Sequence, residues 1–122
     1  MFNKKILVVD DEKDQVNLIK LILEQAGYEI ITCGESGNAI ELAKKKRVDL
    51  MILDINMPGM NGFEVLGALK LNEKTSKIPV IICSARHDFD SCQKAIEKGA
   101  ANYLFKPYDI EQLLSKVKKA LK

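Results

Sequence analysis

Four short apolar runs constrain this chain more than any other feature: Ile6-Leu7-Val8-Val9, Leu50-Met51-Ile52-Leu53, Val80-Ile81-Ile82-Cys83 and Tyr103-Leu104-Phe105. Each is too short for a helix and continuous rather than alternating, the pattern of strands buried on both faces of a sheet. A more mixed run, Tyr28-Glu29-Ile30-Ile31-Thr32-Cys33, reads as an edge strand. Helical periodicity fills the intervals. Val16, Ile19, Ile22, Leu23 and Ala26 share one face, with Gly27 as the stop; Ser36 is the expected N-cap of a helix carrying Ala39, Ile40 and Ala43. Phe63, Leu66 and Leu69 mark a third helix, and Cys92, Ala95 and Ile96 a fourth ending at Gly99. Ile110, Leu113, Leu114, Val117 and Leu121 follow Asp109, an N-cap, at spacings that keep them on one stripe. Strands alternating with helices predict an α/β fold, a parallel sheet covered on both faces.

The chain has 122 residues, the length of one ordinary domain, and no linker, repeat or low-complexity stretch interrupts the pattern. Residues 1–122 are therefore expected to form a single domain. Hydrophobic residues at 47% and charged residues at 30% argue against disorder. The net charge of +2 gives no general reason to expect nucleic acid or an anionic membrane as partner. Cys33, Cys83 and Cys92 include no Cys-x-x-Cys pair, so a disulfide framework or zinc module is not expected, and a reducing cytoplasm fits best. No apolar run approaches the roughly 20 residues of a membrane span, and Met1 to Lys5 do not open a signal peptide.

The chemistry lies where the strands end. The first strand runs into Asp10-Asp11, the third into Asp54, the fourth into Ser84 and the fifth into Lys106-Pro107. In an open parallel sheet, ligands bind outside the carboxyl ends of the strands. Neighbouring strands lie about 4.8 Å apart, so Asp10, Asp11 and Asp54 converge if the first and third strands are adjacent. Carboxylates so placed repel, by about 4 kcal/mol per pair at 4 Å and an effective dielectric near 20. A hard divalent cation with oxygen ligands would offset that, and Mg²⁺ suits one or two carboxylates, waters and a phosphate oxygen. Lys106 should sit two strands from Asp54, about 10 Å away by the same spacing, within reach of its long side chain.

Taken together, Asp10-Asp11-Glu12, the segment Asp54-Ile55-Asn56-Met57-Pro58-Gly59-Met60-Asn61-Gly62, Ser84-Ala85 and Lys106-Pro107 resemble the response-regulator receiver domain of two-component signalling, chemotaxis-regulator-like. The resemblance runs from Lys5 to Lys122. It implies a flavodoxin-like (βα)5 three-layer sandwich with strand order 2-1-3-4-5. It also implies a phosphoacceptor switch rather than an enzyme acting on other molecules. Asp54 matches the phosphoacceptor, taking a phosphoryl group from a phosphohistidine of a sensor histidine kinase or phosphotransfer protein. Asp10 and Asp11 match the acidic pair that holds Mg²⁺ together with Asp54 and the backbone carbonyl of Asn56. Lys106 matches the cation that pairs with a phosphoryl oxygen, and Pro107 the proline after a cis peptide bond. Ser84 and Tyr103 match the switch pair, a hydroxyl and an aromatic that move together. Their movement would alter the face made by helix 4, strand 5 and helix 5, which a downstream target or output domain reads. Asn56 and Arg86 would flank the path of the hydrolytic water. No direct nucleic-acid or membrane binding is expected of this chain.

Simpler readings stand beside these. Asp10, Asp11 and Asp14 could serve only the first helix's N-terminus. Asp54, Gly59 and Gly62 could be turn residues, Lys106 a solvated lysine, Ser84 a strand end and Tyr103 packing. His87 reads as a solvated loop residue, Cys83 and Cys92 as small buried hydrophobes, and Lys44-Lys45-Lys46-Arg47 as a charged helix end. Other functional classes are a degenerate receiver that binds without phosphorylation, the receiver fragment of a longer DNA-binding regulator, an aspartyl-phosphate phosphatase and a flavin carrier. The phosphatase would want Asp-x-Asp after the first strand. The flavin carrier would want a Ser/Thr/Gly-rich phosphate loop where Asp10-Asp11-Glu12 stands.

Overall fold

The computed structural model describes residues 3–56, 61–85 and 89–122, with Phe89 described by its backbone alone. The expectations placed on Met57 to Met60, Arg86 and His87 lie outside the described residues. In chain order the elements are β1 (Lys5–Val9), α1 (Lys13–Gln25), β2 (Glu29–Cys33), a 3₁₀ turn (Ser36–Asn38) leading into α2 (Ala39–Lys46), β3 (Leu50–Asp54), α3 (Gly62–Leu71), β4 (Val80–Ser84), α4 (Phe89–Glu97), β5 (Asn102–Phe105) and α5 (Ile110–Ala120). All strand pairings are parallel, in the order β2-β1-β3-β4-β5. The three central strands are the ones that carry unbroken four-residue apolar runs, Ile6 to Val9, Leu50 to Leu53 and Val80 to Cys83, as burial on both faces requires.

Alternation of side chains along each strand splits the core in two. Leu7, Val9, Met51, Leu53, Val80 and Ile82 face α2, α3 and α4, where Ala39, Ala43, Leu66, Leu69 and Ala95 meet them. Ile6, Val8, Leu50, Ile52, Ile81 and Leu104 face α1 and α5, packing on Val16, Ile19, Leu23, Leu113 and Val117. Among the large side chains that are under 2% exposed, Ile6, Leu7, Leu50, Leu53, Ile81 and Ile82 lie on the strands, so the sheet is the rigid part that fixes the positions of its own ends.

Helix boundaries follow from caps. Asn61 and Glu64 form a capping box at the start of α3, with bonds of 3.0 and 3.1 Å. Asp109 and Gln112 do the same for α5, at 2.7 and 3.1 Å. Gly27, at φ +100°, reverses the chain after α1 in a conformation that disfavours a Cβ. Arg47 takes a left-handed φ of 53° at the end of α2.

Four sequence expectations need correction. Ser36 is not the N-cap of α2; it is buried and opens the 3₁₀ turn, and Asn38 precedes the helix. The Asn38 N–H reaches the Glu35 carbonyl at 3.1 Å, and this tighter turn delays the first α-helical turn by two residues. Ala26 lies beyond the end of α1 and is exposed. Ile96 and Ile110 are 49% and 54% exposed rather than in the core. In α4 the buried stripe passes through the neighbouring Ala95, and in α5 it passes through Leu113 and Val117. Among the described residues, no helix is long and apolar enough to cross a membrane.

Candidate phosphoacceptor site

Register alone brings the strand ends together. Val9 pairs with Leu53, Asp54 with Cys83 and Ser84 with Phe105, so Asp10, Asp54, Ser84 and Lys106 leave the sheet at one edge. Asp10 and Asp54 are only 4% and 5% exposed, although both are acids. Buried carboxylates need partners, and each finds two. Asp10 Oδ1 accepts from the Glu12 N–H at 2.9 Å, and Asp54 Oδ1 accepts from the Asn56 N–H at 2.9 Å. The other oxygen of each faces Lys106, whose Nζ lies 3.3 Å from Asp10 Oδ2 and 3.5 Å from Asp54 Oδ2. Lys106 is held from both sides along the chain. Its N–H donates to the Ser84 carbonyl at 2.7 Å, and a cis bond joins it to Pro107.

Burial is the largest influence on Asp54 and pushes its carboxyl above the usual range. The Asn56 N–H and Lys106 oppose that, and the neighbouring Asp10 adds to it. Burial also disfavours the Lys106 ammonium, but Asp54, Asp10 and Cys83 outweigh it and hold this group above the ordinary lysine value. A fixed cation therefore sits between two buried carboxylates.

Carboxylate oxygens of Asp10, Glu12 and Asp54 all lie within 4.8 Å of one another. Asp11 does not join this group; it is exposed and lines a neighbouring cavity of about 560 Å³ with Lys13, Asn17 and Thr32. Sequence placed Glu12 within the acidic run but pointed to no part for it. Successive residues leave a strand end in different directions, and adjacency was the only signal available.

Ser84 is fully buried, and its Oγ accepts from Asn56 Nδ2 at 3.3 Å. Tyr103 is 3% exposed in the α2–α3–α4 core, its ring centroid 4.9 Å from that of Phe105, which is 37% exposed. The side chain of Asn56 thus lies against Ser84, a contact that sequence alone did not foresee. Tyr108, beyond Pro107, packs into the core beneath β4, where burial and the neighbouring Cys83 push its phenol up.

Cys33, Cys83 and Cys92 are free thiols. Burial drives the Cys83 thiol up to about 12, and Cys33 is also raised by burial. Since the thiolate is the reactive form, iodoacetamide at pH 8 is expected to modify half-buried Cys92 first, with Cys33 and Cys83 protected until the protein unfolds. Peptide mapping of the native protein checks this; early labelling of Cys83 would contradict the burial described for it.

Comparison with known proteins agrees with the geometry. The family model for the response regulator receiver domain matches residues 6–118, and the chain belongs to that family. It is 36% identical over 121 residues to sporulation initiation phosphotransferase F of Bacillus subtilis, covering 99% of this chain and 96% of that protein. It is 33% identical to the alkaline phosphatase synthesis transcriptional regulatory protein PhoP of the same species, covering 98% of this chain but 49% of that one. Chemotaxis protein CheY4 of Vibrio cholerae has the same fold, with a TM-score of 0.93, 31% identity and coverage of 98% of this chain and all of that one.

Proposed function

We propose that this chain acts as one receiver unit over residues 1–122, a cytoplasmic switch that takes a phosphoryl group onto Asp54 from a phosphohistidine. The observation that carries the reading is the Lys106 ammonium held within 3.5 Å of both Asp10 and Asp54, three residues at the carboxyl ends of three different strands. In the step proposed, a carboxylate oxygen of Asp54 attacks phosphorus, the P–N bond breaks, and the imidazole nitrogen leaves with the bonding pair. Phosphoryl transfer is mainly positioning and charge stabilisation. Asp54 is positioned by the Asn56 N–H, and Lys106 is placed to meet a phosphoryl oxygen.

The donor set fits Mg²⁺. It is all oxygen, three carboxylates within 4.8 Å of one another, and the nearby Cys83 thiol is held protonated and does not compete. Asp10, Glu12 and Asp54 would hold the ion, with Asp11 and the Asn56 carbonyl as the further ligands that the family resemblance implies. When bound, it would supply charge stabilisation to the phosphoryl oxygens.

The apolar surface supports two partner faces. Leu18 and Leu21, 51% and 56% exposed on α1, offer a surface to the phosphohistidine-bearing kinase or phosphotransfer protein, since α1 begins beside the carboxylates. Ile96, Phe105 and Ile110, on α4, β5 and α5, are 49%, 37% and 54% exposed and offer another to the target that reads the switch. Ser84 and Tyr103 connect the site to this second face.

The test is intact-mass spectrometry after incubation with acetyl phosphate. A single phosphoryl adduct is expected with Mg²⁺ and is expected to fall at least tenfold without the metal, in Asp54→Asn, or in Lys106→Ala. A folded wild-type protein that takes up no phosphoryl group would overturn the reading and favour a phosphorylation-independent binding module.

A further inference from the structure

Asn56 occupies a singular place between the two groups that the switch depends on. Its backbone N–H donates to Asp54 Oδ1 at 2.9 Å, while its side-chain Nδ2 donates to Ser84 Oγ at 3.3 Å. The first bond belongs to the turn that follows β3. The second crosses to β4, and it links an exposed amide to a hydroxyl that is 0% exposed. A buried hydroxyl oxygen loses water as a partner, so an amide reaching it from the site side is one of the contacts that set where that oxygen sits.

We propose that the Asn56 side-chain amide is a positioning residue for the switch: it holds Ser84 in its resting placement and releases it by exchanging acceptors when Asp54 is phosphorylated. The inference rests on the phosphoacceptor reading of Asp54. A phosphoryl group there would bring three strong acceptor oxygens beside the turn that carries Asn56. Hydrogen bonds to a charged oxygen are roughly twice as strong as those between neutral groups. The amide therefore transfers from the neutral Ser84 Oγ to a phosphoryl oxygen. Ser84, no longer held by this amide, turns its own hydroxyl toward the phosphoryl group. Tyr103 senses the change because its position on β5 lies next to β4, where Ile82 pairs with Tyr103 and Ser84 with Phe105. The exchange makes and breaks hydrogen bonds only, so no proton or electron leaves the site.

Six proteins test this: wild type, Asn56→Ala, Ser84→Ala, Ser84→Thr, which keeps the hydroxyl, and the two double variants that combine Asn56→Ala with each serine substitution. Asn56→Ala retains the backbone N–H on Asp54. In urea unfolding of the unphosphorylated proteins, the two alanine substitutions are expected to be non-additive by about fivefold in the unfolding constant. Asn56→Ala is expected to keep its effect in the Ser84→Thr background. By NMR relaxation dispersion of the Tyr103 ring, the minor conformer is expected to rise about fivefold in Asn56→Ala but not when Ser84 is also alanine. Additive unfolding, or a Tyr103 effect that persists without Ser84, overturns the proposal.

After acetyl phosphate and Mg²⁺, the Asn56 side-chain amide signals are expected to shift together with Tyr103. Displaced Tyr103 signals beside unmoved Asn56 amide signals would also overturn it. The unfolding and resting-state measurements need no phosphoryl group. Coupling between Asn56 and Ser84 without any adduct would therefore overturn the phosphoacceptor reading and leave the restraint standing. An adduct with additive unfolding would overturn the restraint alone.

Discussion

Gly62→Ala is expected to destabilise the protein by about 3 kcal/mol or more, the upper end of the cost of overpacking a core, with a fall in melting temperature of about 12 °C. A Cβ at Gly62 would stand 2.4 Å from the Cα and 2.5 Å from the Cγ2 of Ile55. The nearest of these atoms is backbone, so a change of rotamer cannot relieve the contact. Ile55 is 3% exposed and lies between Asp54 and Asn56. A displaced Ile55 would therefore shift Asp54 as well, and the adduct formation proposed for that residue should fall along with stability. At Gly67, in the same helix, an added methyl would meet nothing within 4 Å, so Gly67→Ala should stabilise by about 1 kcal/mol through helix propensity alone. Thermal denaturation of both variants checks the pair. Equal effects at the two positions would show that propensity, and not the approach of α3 to Ile55, governs Gly62.

Asp54→Asn is expected to raise stability at pH 7 by about 1 kcal/mol, or about 4 °C in melting temperature. The sign follows from linkage. Burial holds the folded-state carboxyl of Asp54 above its ordinary value of 3.8, so the folded chain binds that proton more tightly than the unfolded one. The stability this contributes is fully present below the unfolded value and is lost as pH rises through the folded value. At neutral pH the ionised carboxylate is a net burden beside Asp10, only partly offset by Lys106, and asparagine removes it while keeping the shape. The advantage of the variant should shrink as pH falls toward 4. Mg²⁺ should raise the melting temperature of the wild type and raise that of the variant less. Melting curves across pH 4 to 8 give the answer. A variant less stable than wild type at pH 7, or an advantage that grows in acid, would contradict the electrostatics described for this site.

Much of the architecture was legible in the sequence. Runs such as Leu50 to Leu53 and Val80 to Cys83 are too short and too apolar for anything but central strands, and all five observed strands overlap the expected ones. Asp109 marked the start of α5 because its side chain and that of Gln112 act within one turn. The misplacements came where a local signal was ambiguous. Ser36 looks like a cap in sequence, yet the chain inserted a 3₁₀ turn after it. Ile96 and Ile110 fit helical stripes whose buried centres lie a residue or more away.

At the site, the sequence by itself determined which groups arrive at the carboxyl edge of the sheet, because strand ends are set by local hydrophobic patterning. Asp10, Asp54, Ser84 and Lys106 could be named on that ground. Only the tertiary structure decided which atoms meet. It put Glu12 with Asp10 and Asp54 and left Asp11 exposed, laid Lys106 between two carboxylates, set the Asn56 amide on Ser84 and pressed Gly62 against Ile55. The physical reason is one of range. Periodicity is written along the chain and is read within a few residues. Side-chain contacts across strands depend on register, pleat and rotamer, which are fixed only when distant segments pack against one another.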